Sequence, residues 1–274
     1  MDPVIIHQWD SVDWRELITR IDAIGFDLDT TLAISKQPMT DEMAEAFSAL
    51  TRRMPCAVVS GGKYQLFERQ ILSRIGDMAD RTNLHLMPTS GTRYYAWDGT
   101  AWRCRYAHDL DPADRDAAIA SLTRHAKELG LWLADDQVRG ERIEDRGSQI
   151  TFSALGQMAT PAAKEAWDPD RRKKNALAAA VAADLPQLTV RSGGSTSVDV
   201  VAKGIDKSYA IRRLSGLLDV PVARIGFVGD RMDPDGNDYP AAAAGTFAVH
   251  VTRPQDTLNV IRGLLDAFST GLGA

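Results

Sequence analysis

Short apolar segments alternate with amphipathic segments between residues 21 and 75. Their order is IDAIGFDLD, TDEMAEAFSALTRRM, PCAVVSGG and KYQLFERQILSRI. Thr40 is a good N-cap for the second segment, and Asp41 and Glu42 then lie where a helix dipole favours acids. An order of strand, helix, strand and helix predicts a parallel sheet covered by helices. The same texture returns in ARIGFVGD and AAAAGTFAVHVT, so we expect an α/β domain interrupted by an insertion.

The insertion has a different pattern. From about Tyr94 the chain alternates aromatic and polar residues in RYYAWDGTAWRCRYAHDL and RIEDRGSQITFSAL, which predicts antiparallel strands joined at glycine turns. DAAIASLTRHAKEL and KKNALAAAVAADL have the period of helices. These segments together predict a second module of the α+β class.

Composition excludes several classes of function. The 274 residues are 44% hydrophobic and 25% charged, which is ordinary for a globular chain that buries a sizeable core. The net charge is −5 without a basic stripe, so we expect a small-molecule substrate and neither nucleic acid nor membrane as partner. Cys56 and Cys104 form no CxxC motif, and the sequence shows neither a signal peptide nor an apolar run of 18 residues. We therefore predict a cytoplasmic protein without a disulfide framework.

Polar residues follow the predicted parallel strands. The strand ends are Asp27 with Asp29, Ser60 with Gly61 and Gly62, and Gly229 with Asp230. Ligands of open α/β sheets bind beyond the carboxyl ends of the strands, so these residues are expected to converge on one crevice. Clustered carboxylates repel each other unless a cation lies between them, and oxygen ligands without histidine suit Mg²⁺.

Phosphate-binding groups accompany these carboxylates. Ser60 and the amides of the following glycines can hold phosphate oxygens. Lys207, in GIDKSYAI, can supply a positive charge to the same phosphate. The constellation indicates phosphoryl transfer through a covalent aspartyl-phosphate.

DLDTT, the strand-end Ser60, Lys207 and GDRMDPDGND together resemble the four motifs of the haloacid dehalogenase superfamily. The resemblance implies a Rossmann-like core with a parallel sheet and an inserted cap, with Asp27 as nucleophile and Asp29 as general acid and base. It also implies phosphate contacts from Thr31, Ser60 and Gly61, and stabilisation of the nucleophile by Lys207. The implied Mg²⁺ ligands are Asp27, Asp29 through its carbonyl and Asp230, with Asp235 and Asp238 as supports.

A closer resemblance includes the insertion. SGGKYQLFERQIL, RGSQITFSALGQ, GGSTSVDVVAKGIDKSY and the segment from Gly229 to Thr257 are similar to eukaryotic-type phosphomannomutases of the cap-type-IIB branch. This resemblance implies a catalytic core of residues 1–91 and 203–274, a specificity cap of residues 92–202 with an antiparallel sheet, and a possible homodimer formed through the cap. The implied substrate-binding residues are Lys36, Arg146, Lys164, Ser197 and Asp199.

The chain departs from the mutase pattern at several positions. Thr30 replaces a glycine, and Gln157 and Lys164 stand where sugar-phosphate arginines are expected. Lysine is a point charge and glutamine has none, whereas arginine grips phosphate with a planar fork. A mutase must retain a bisphosphate intermediate, so the loss of arginines favours a hexose-phosphate phosphatase. A phosphomannomutase and an inactive sugar-phosphate-binding protein are the alternatives.

Overall fold

The computed structural model describes residues 3–193 and 196–271. The chain divides into two compact units: Met1–Ala107 with Asp206–Ala274, called the core unit here, and His108–Ile205, called the inserted unit. An interrupted α/β domain was predicted from the return of the strand and helix pattern, and the division confirms it.

The strands are β1 (Ile6–Gln8), β2 (Ala23–Phe26), β3 (Cys56–Val59), β4 (Leu84–Met87), β5 (Arg93–Trp97), β6 (Trp102–Ala107), β7 (Ile143–Asp145), β8 (Gln149–Ser153), β9 (Leu188–Ser192), β10 (Ser197–Ala202), β11 (Ile225–Gly229) and β12 (Phe247–His250). The α-helices are α1 (Trp14–Arg20), α2 (Asp41–Thr51), α3 (Tyr64–Phe67), α4 (Ser73–Ile75), α5 (Pro112–Glu128), α6 (Pro161–Trp167), α7 (Arg172–Asp184), α8 (Lys207–Leu218), α9 (Tyr239–Ala243) and α10 (Pro254–Gly271). A π-helical turn (Glu68–Leu72) joins α3 to α4.

The strands of the core unit form one sheet in the order β1-β12-β11-β2-β3-β4-β5-β6, and β1, β12, β11, β2, β3 and β4 run parallel. β2 and β3 are entirely buried, as expected of central parallel strands with helices on both faces. Residues of α1, α2 and α10 pack on one face, and residues of α8 and α9 on the other. The Thr40 side chain accepts a hydrogen bond from the Met43 amide, so the predicted N-cap is confirmed.

The aromatic hairpin of β5 and β6 belongs to the core unit. β5 pairs antiparallel with β4, and β6 pairs with β5. Tyr94 packs into one face of the sheet and Tyr95 against the other. The boundary predicted between residues 91 and 92 therefore lies after Ala107 in the structure. Strand alternation shows which residues face a core, but it does not show which sheet the strand joins.

The inserted unit is an antiparallel sheet in the order β7-β8-β10-β9. Ile150 and Phe152 of β8 pack with Leu122 of α5 and Leu177 of α7. Since side chains alternate along a strand, the next residues on β8 face away from these helices, and they include the polar Thr151. The predicted α+β module is confirmed. In the part of the chain that the structure describes, none of the helices is long and apolar enough to cross a membrane.

Candidate functional site

Three carboxylates lie together beyond the ends of β2 and β11. The two strands are adjacent and parallel, with Phe26 opposite Val228, and the Asp27 amide donates to the Val228 carbonyl at 2.9 Å. Asp230 follows β11 directly. One carboxylate oxygen from each of Asp27, Asp230 and Asp238 lies within 4.8 Å of the others. The predicted convergence of strand ends is therefore realised by Asp27 and Asp230.

Lys207 completes this cluster from the first turn of α8. The Asp206 side chain caps the helix by accepting from the amides of Ser208 and Tyr209. The Lys207 side chain is 2% exposed, and its Nζ lies 2.5 Å from Asp27 Oδ1. The same Nζ donates to Asp238. A buried charge needs such partners, because removing it from water is costly.

The cluster shifts the titration of its own members. Burial raises the pKa of the Asp27 carboxyl well above its usual value, Lys207 opposes this shift, and Asp238 and Asp230 add to it. Burial would lower the pKa of Lys207, but the carboxylates of Asp238 and Asp27 outweigh it, so this pKa is raised. Lys207 is therefore firmly charged. Burial and Asp238 also raise the pKa of Asp230.

The cluster can accept a divalent cation. Its convergent donor atoms are carboxylate oxygens, and hard cations such as Mg²⁺ prefer oxygen ligands. The three carboxylates share the single ammonium of Lys207, so ionisation of all three would leave an excess of negative charge. A cation held by Asp27, Asp230 and Asp238 would neutralise this excess.

The loop after β2 carries Asp29 and Thr31, and Thr31 contacts the cluster. Thr31 is fully buried, and its hydroxyl donates to Asp230 Oδ1 at 3.3 Å. The Asp29 carboxylate accepts from the Lys36 amide at 2.8 Å. Thr30 has φ of +67° and Lys36 has φ of +61°, a left-handed conformation that disfavours a β-branched residue. Thr30 therefore holds a strained backbone between Asp29 and Thr31.

Ser60 and Gly61 follow β3, which neighbours β2 in the sheet. Ser60 is 5% exposed, and its hydroxyl oxygen accepts from the Gly62 amide at 3.1 Å. A Cβ added to Gly61 would meet no atom within 4 Å. The phosphate contacts of these residues remain a prediction.

The predicted substrate-binding residues other than Lys36 belong to the inserted unit. Arg146 Nε and Nη2 lie 2.8 and 2.6 Å from Glu144 Oε2. Asp199 Oδ1 accepts from the Thr151 hydroxyl at 2.7 Å. The Lys164 ammonium donates to a backbone carbonyl at 3.0 Å. The carbonyl belongs to Gln157, so the two residues found where the resemblance predicts arginines are neighbours in the structure.

The structure thus brings together Asp27, Asp230, Asp238 and Lys207. The Thr31 hydroxyl is hydrogen-bonded to Asp230. Asp235 is exposed and lies outside the carboxylate cluster, and Ser197 lies in β10 of the inserted unit. One residue near the site was not found from the sequence. Gln70 is fully buried, and its amide donates to Asp29 at 3.2 Å. A polar residue inside the apolar pattern of KYQLFERQIL was the available signal.

The parallel sheet, the inserted α+β unit and the buried cluster of carboxylates and lysine define an enzyme of the phosphotransferase and phosphatase class. A sequence model described as eukaryotic phosphomannomutase matches residues 113–267, which is more than half of the chain. The chain belongs to that family, and the resemblance inferred from its motifs is confirmed.

Curated relatives are similar over most of their length. The probable phosphomannomutase of Caenorhabditis elegans is 26% identical over 250 residues, which cover 88% of this chain and 94% of the relative. The phosphomannomutase of Spinacia oleracea is 25% identical over 240 residues, which cover 85% and 91%.

Solved structures share the fold at low sequence identity. The IMP-bound, N-terminally truncated IMP-nucleotidase of Plasmodium falciparum has a TM-score of 0.66 and 14% identity, over 93% of this chain and 71% of that chain. The trehalose-6-phosphate phosphatase of Aspergillus fumigatus has a TM-score of 0.58 and 16% identity, over 96% of this chain and all of that chain. This likeness agrees with the predicted haloacid dehalogenase core with an inserted cap.

Proposed function

We propose that the chain is a Mg²⁺-dependent hexose-phosphate phosphatase that works through a phosphorylated Asp27. The observation that carries the proposal is the buried contact of Asp27 with Lys207 beside Asp230 and Asp238. In this proposal the core unit carries the chemistry. The inserted unit selects the substrate through Arg146 and the other predicted residues.

The proposed reaction has two displacements at phosphorus. In the first, an Asp27 oxygen forms a bond to phosphorus, the bond to the sugar oxygen breaks, and Asp29 gives that oxygen a proton. In the second, water forms a bond to phosphorus as Asp29 takes its proton, and the bond to Asp27 breaks to release phosphate. Such covalent catalysis divides one difficult step into two easier ones.

Lys207 and Mg²⁺ have distinct parts in this proposal. Lys207 holds the Asp27 carboxylate in place through its contact with Oδ1 and spreads positive charge toward the transferring phosphoryl group. A cation held by Asp27, Asp230 and Asp238 would supply charge neutralisation to phosphate oxygens. Thr31, Ser60 and Gly61 hold the phosphate.

Hydrolysis is favoured by the residues that replace arginines. Gln157 carries no charge, and the Lys164 ammonium already donates to the Gln157 carbonyl. A mutase must bind either phosphate of a bisphosphate in turn, whereas a phosphatase needs only to admit water after the sugar has left. Weaker recognition of a second phosphate therefore harms a mutase more.

Interconversion of mannose 6-phosphate and mannose 1-phosphate is the second candidate function. Family membership favours it, since the matching model and the named relatives are phosphomannomutases. In that case the sugar phosphate, instead of water, would receive the phosphoryl group from Asp27.

One assay separates the two functions. Mannose 6-phosphate and a panel of hexose phosphates are incubated with the protein and Mg²⁺, with and without a hexose 1,6-bisphosphate, and both inorganic phosphate and the isomeric sugar phosphate are measured. Phosphate release without isomer supports the phosphatase. Isomer formation that depends on the bisphosphate refutes it in favour of the mutase.

Asp27→Asn tests the nucleophile common to both functions. We expect this variant to lose turnover while it keeps its fold, because a neutral amide does not attack phosphorus. Asp10→Asn is the matched control, since it makes the same change at an exposed position outside the cluster. Turnover by Asp27→Asn near that of the control would exclude Asp27 as the nucleophile.

A further inference from the structure

We infer that Gln70 is a positioning residue for Asp29; the inference rests on the proposed function, in which Asp29 moves a proton. Gln70 lies in the π-helical turn (Glu68–Leu72), and its side chain is fully buried. π-Helical turns are rare and often occur at functional sites. The position of Gln70 in such a turn therefore agrees with a functional role.

Three hydrogen-bond acceptors surround the side-chain amide nitrogen of Gln70. Nε2 lies 3.2 Å from Asp29 Oδ1, 2.9 Å from the Gln37 carbonyl and 3.4 Å from the Ile34 carbonyl. Carboxylates and carbonyls can only accept, so the nitrogen and not the oxygen of the amide must face them. One amide thus ties Asp29 to the loop that follows it.

The oxygen of the same amide makes no comparable hydrogen bond. Gln70 Oε1 is buried and has no hydrogen-bond partner among the described residues. A buried acceptor without a partner destabilises a folded chain. A methionine of similar size would fill the space without this penalty, so the advantage of glutamine at this position is its N–H donor.

The donor fixes which oxygen of Asp29 is available for chemistry. The Lys36 amide and Gln70 Nε2 both donate to Oδ1. Oδ2 accepts no hydrogen bond from the part of the chain that the structure describes. Gln70 therefore holds Oδ1 in place and leaves Oδ2 to exchange the proton with the leaving oxygen or with water.

Gln70→Met removes the donor and keeps the volume, and the leaving group of the substrate reveals the effect. A sugar oxygen needs a proton in order to leave, whereas p-nitrophenolate leaves without one. We compare single-turnover rates of the first displacement with p-nitrophenyl phosphate and with the hexose phosphate that the wild type turns over fastest. We expect the rate with the hexose phosphate to fall about 100-fold, with little change for p-nitrophenyl phosphate.

Ile71→Val is the matched control. Ile71 is the next residue of the same turn and is fully buried in the core, so this variant loses packing without losing a donor. Its rates with the two esters should keep the wild-type ratio. The midpoint of urea unfolding is measured for every variant, so that a change in stability is separated from a change in rate.

The outcomes distinguish the inference from the proposed function. If the wild type phosphorylates Asp27 from neither ester, the proposed function is wrong and the inference fails with it. If the wild type reacts and Gln70→Met slows both esters equally or neither, only the inference is wrong. Gln70→Leu also lacks the donor and should show the same selective loss. Failure of both Gln70 variants to fold would assign the residue a structural role and overturn the inference.

Discussion

Acidification should destabilise the folded chain through one buried histidine. His85 lies in β4, and its Nδ1 is 2.8 Å from the hydroxyl of Tyr94 in β5. Burial lowers the pKa of His85 from 6.5 to about 4. The folded state therefore takes up this proton only near pH 4, whereas the unfolded state takes it up near pH 6.5.

The sign and size of the effect follow from this difference. The stability contributed by a neutral His85 is complete above pH 6.5 and is lost as the pH falls toward 4. Each pKa unit corresponds to about 1.4 kcal/mol, so the full loss is about 3 kcal/mol. Between pH 7 and pH 5 the free energy of unfolding should fall by about 2 kcal/mol.

Urea unfolding of the wild type and of His85→Gln measures this contribution. Glutamine does not titrate, so carboxylates and other groups affect both proteins alike and cancel in the difference. We expect the stability advantage of the wild type over the variant to shrink by about 2 kcal/mol from pH 7 to pH 5. Parallel pH profiles of the two proteins would refute the assignment of the lowered pKa to His85.

Three further substitutions test the site and the fold by urea unfolding. Lys207→Met leaves the buried carboxylates without their counterion and should lower the free energy of unfolding by about 3–5 kcal/mol. Added Mg²⁺ should recover part of this loss. Unchanged stability would mean that the lysine does not balance the charge of the carboxylates. Gly91→Ala should cost more than about 1 kcal/mol, because Gly91 has φ of +83° and an added Cβ would lie 2.7 Å from Ala210 Cα. Gly216→Ala, in an open position of α8, should instead stabilise by about 1 kcal/mol, and equal effects at both glycines would contradict the steric argument.

Much of the site could be predicted because parallel strands place their carboxyl ends at one edge. Asp27 and Asp230 follow apolar runs that had to be central strands, so their meeting required only the topology. Lys207 was predicted from its chemistry and its motif. Its contact with Asp27 joins residues far apart in sequence, and no local pattern encodes that contact.

Other features depended on the surroundings of each residue. Asp235 and Asp238 lie in one short polar segment and could not be separated by sequence, yet Asp238 is buried against Lys207 while Asp235 is exposed. Gln70 looked like one polar residue in an amphipathic helix. Only the π-helical turn and the loop carrying Asp29 make it a buried donor.

The sequence by itself determined the class of the segments with a clear period, the helix cap at Thr40 and the presence of an insertion, because these depend on residue type and short-range period. The tertiary structure decided that the aromatic hairpin extends the core sheet, which carboxylates share a lysine and which oxygen of Asp29 is held. The physical reason is that periodicity specifies which face of a segment is buried. The partner that buries it is chosen by packing and by charge balance across the whole fold.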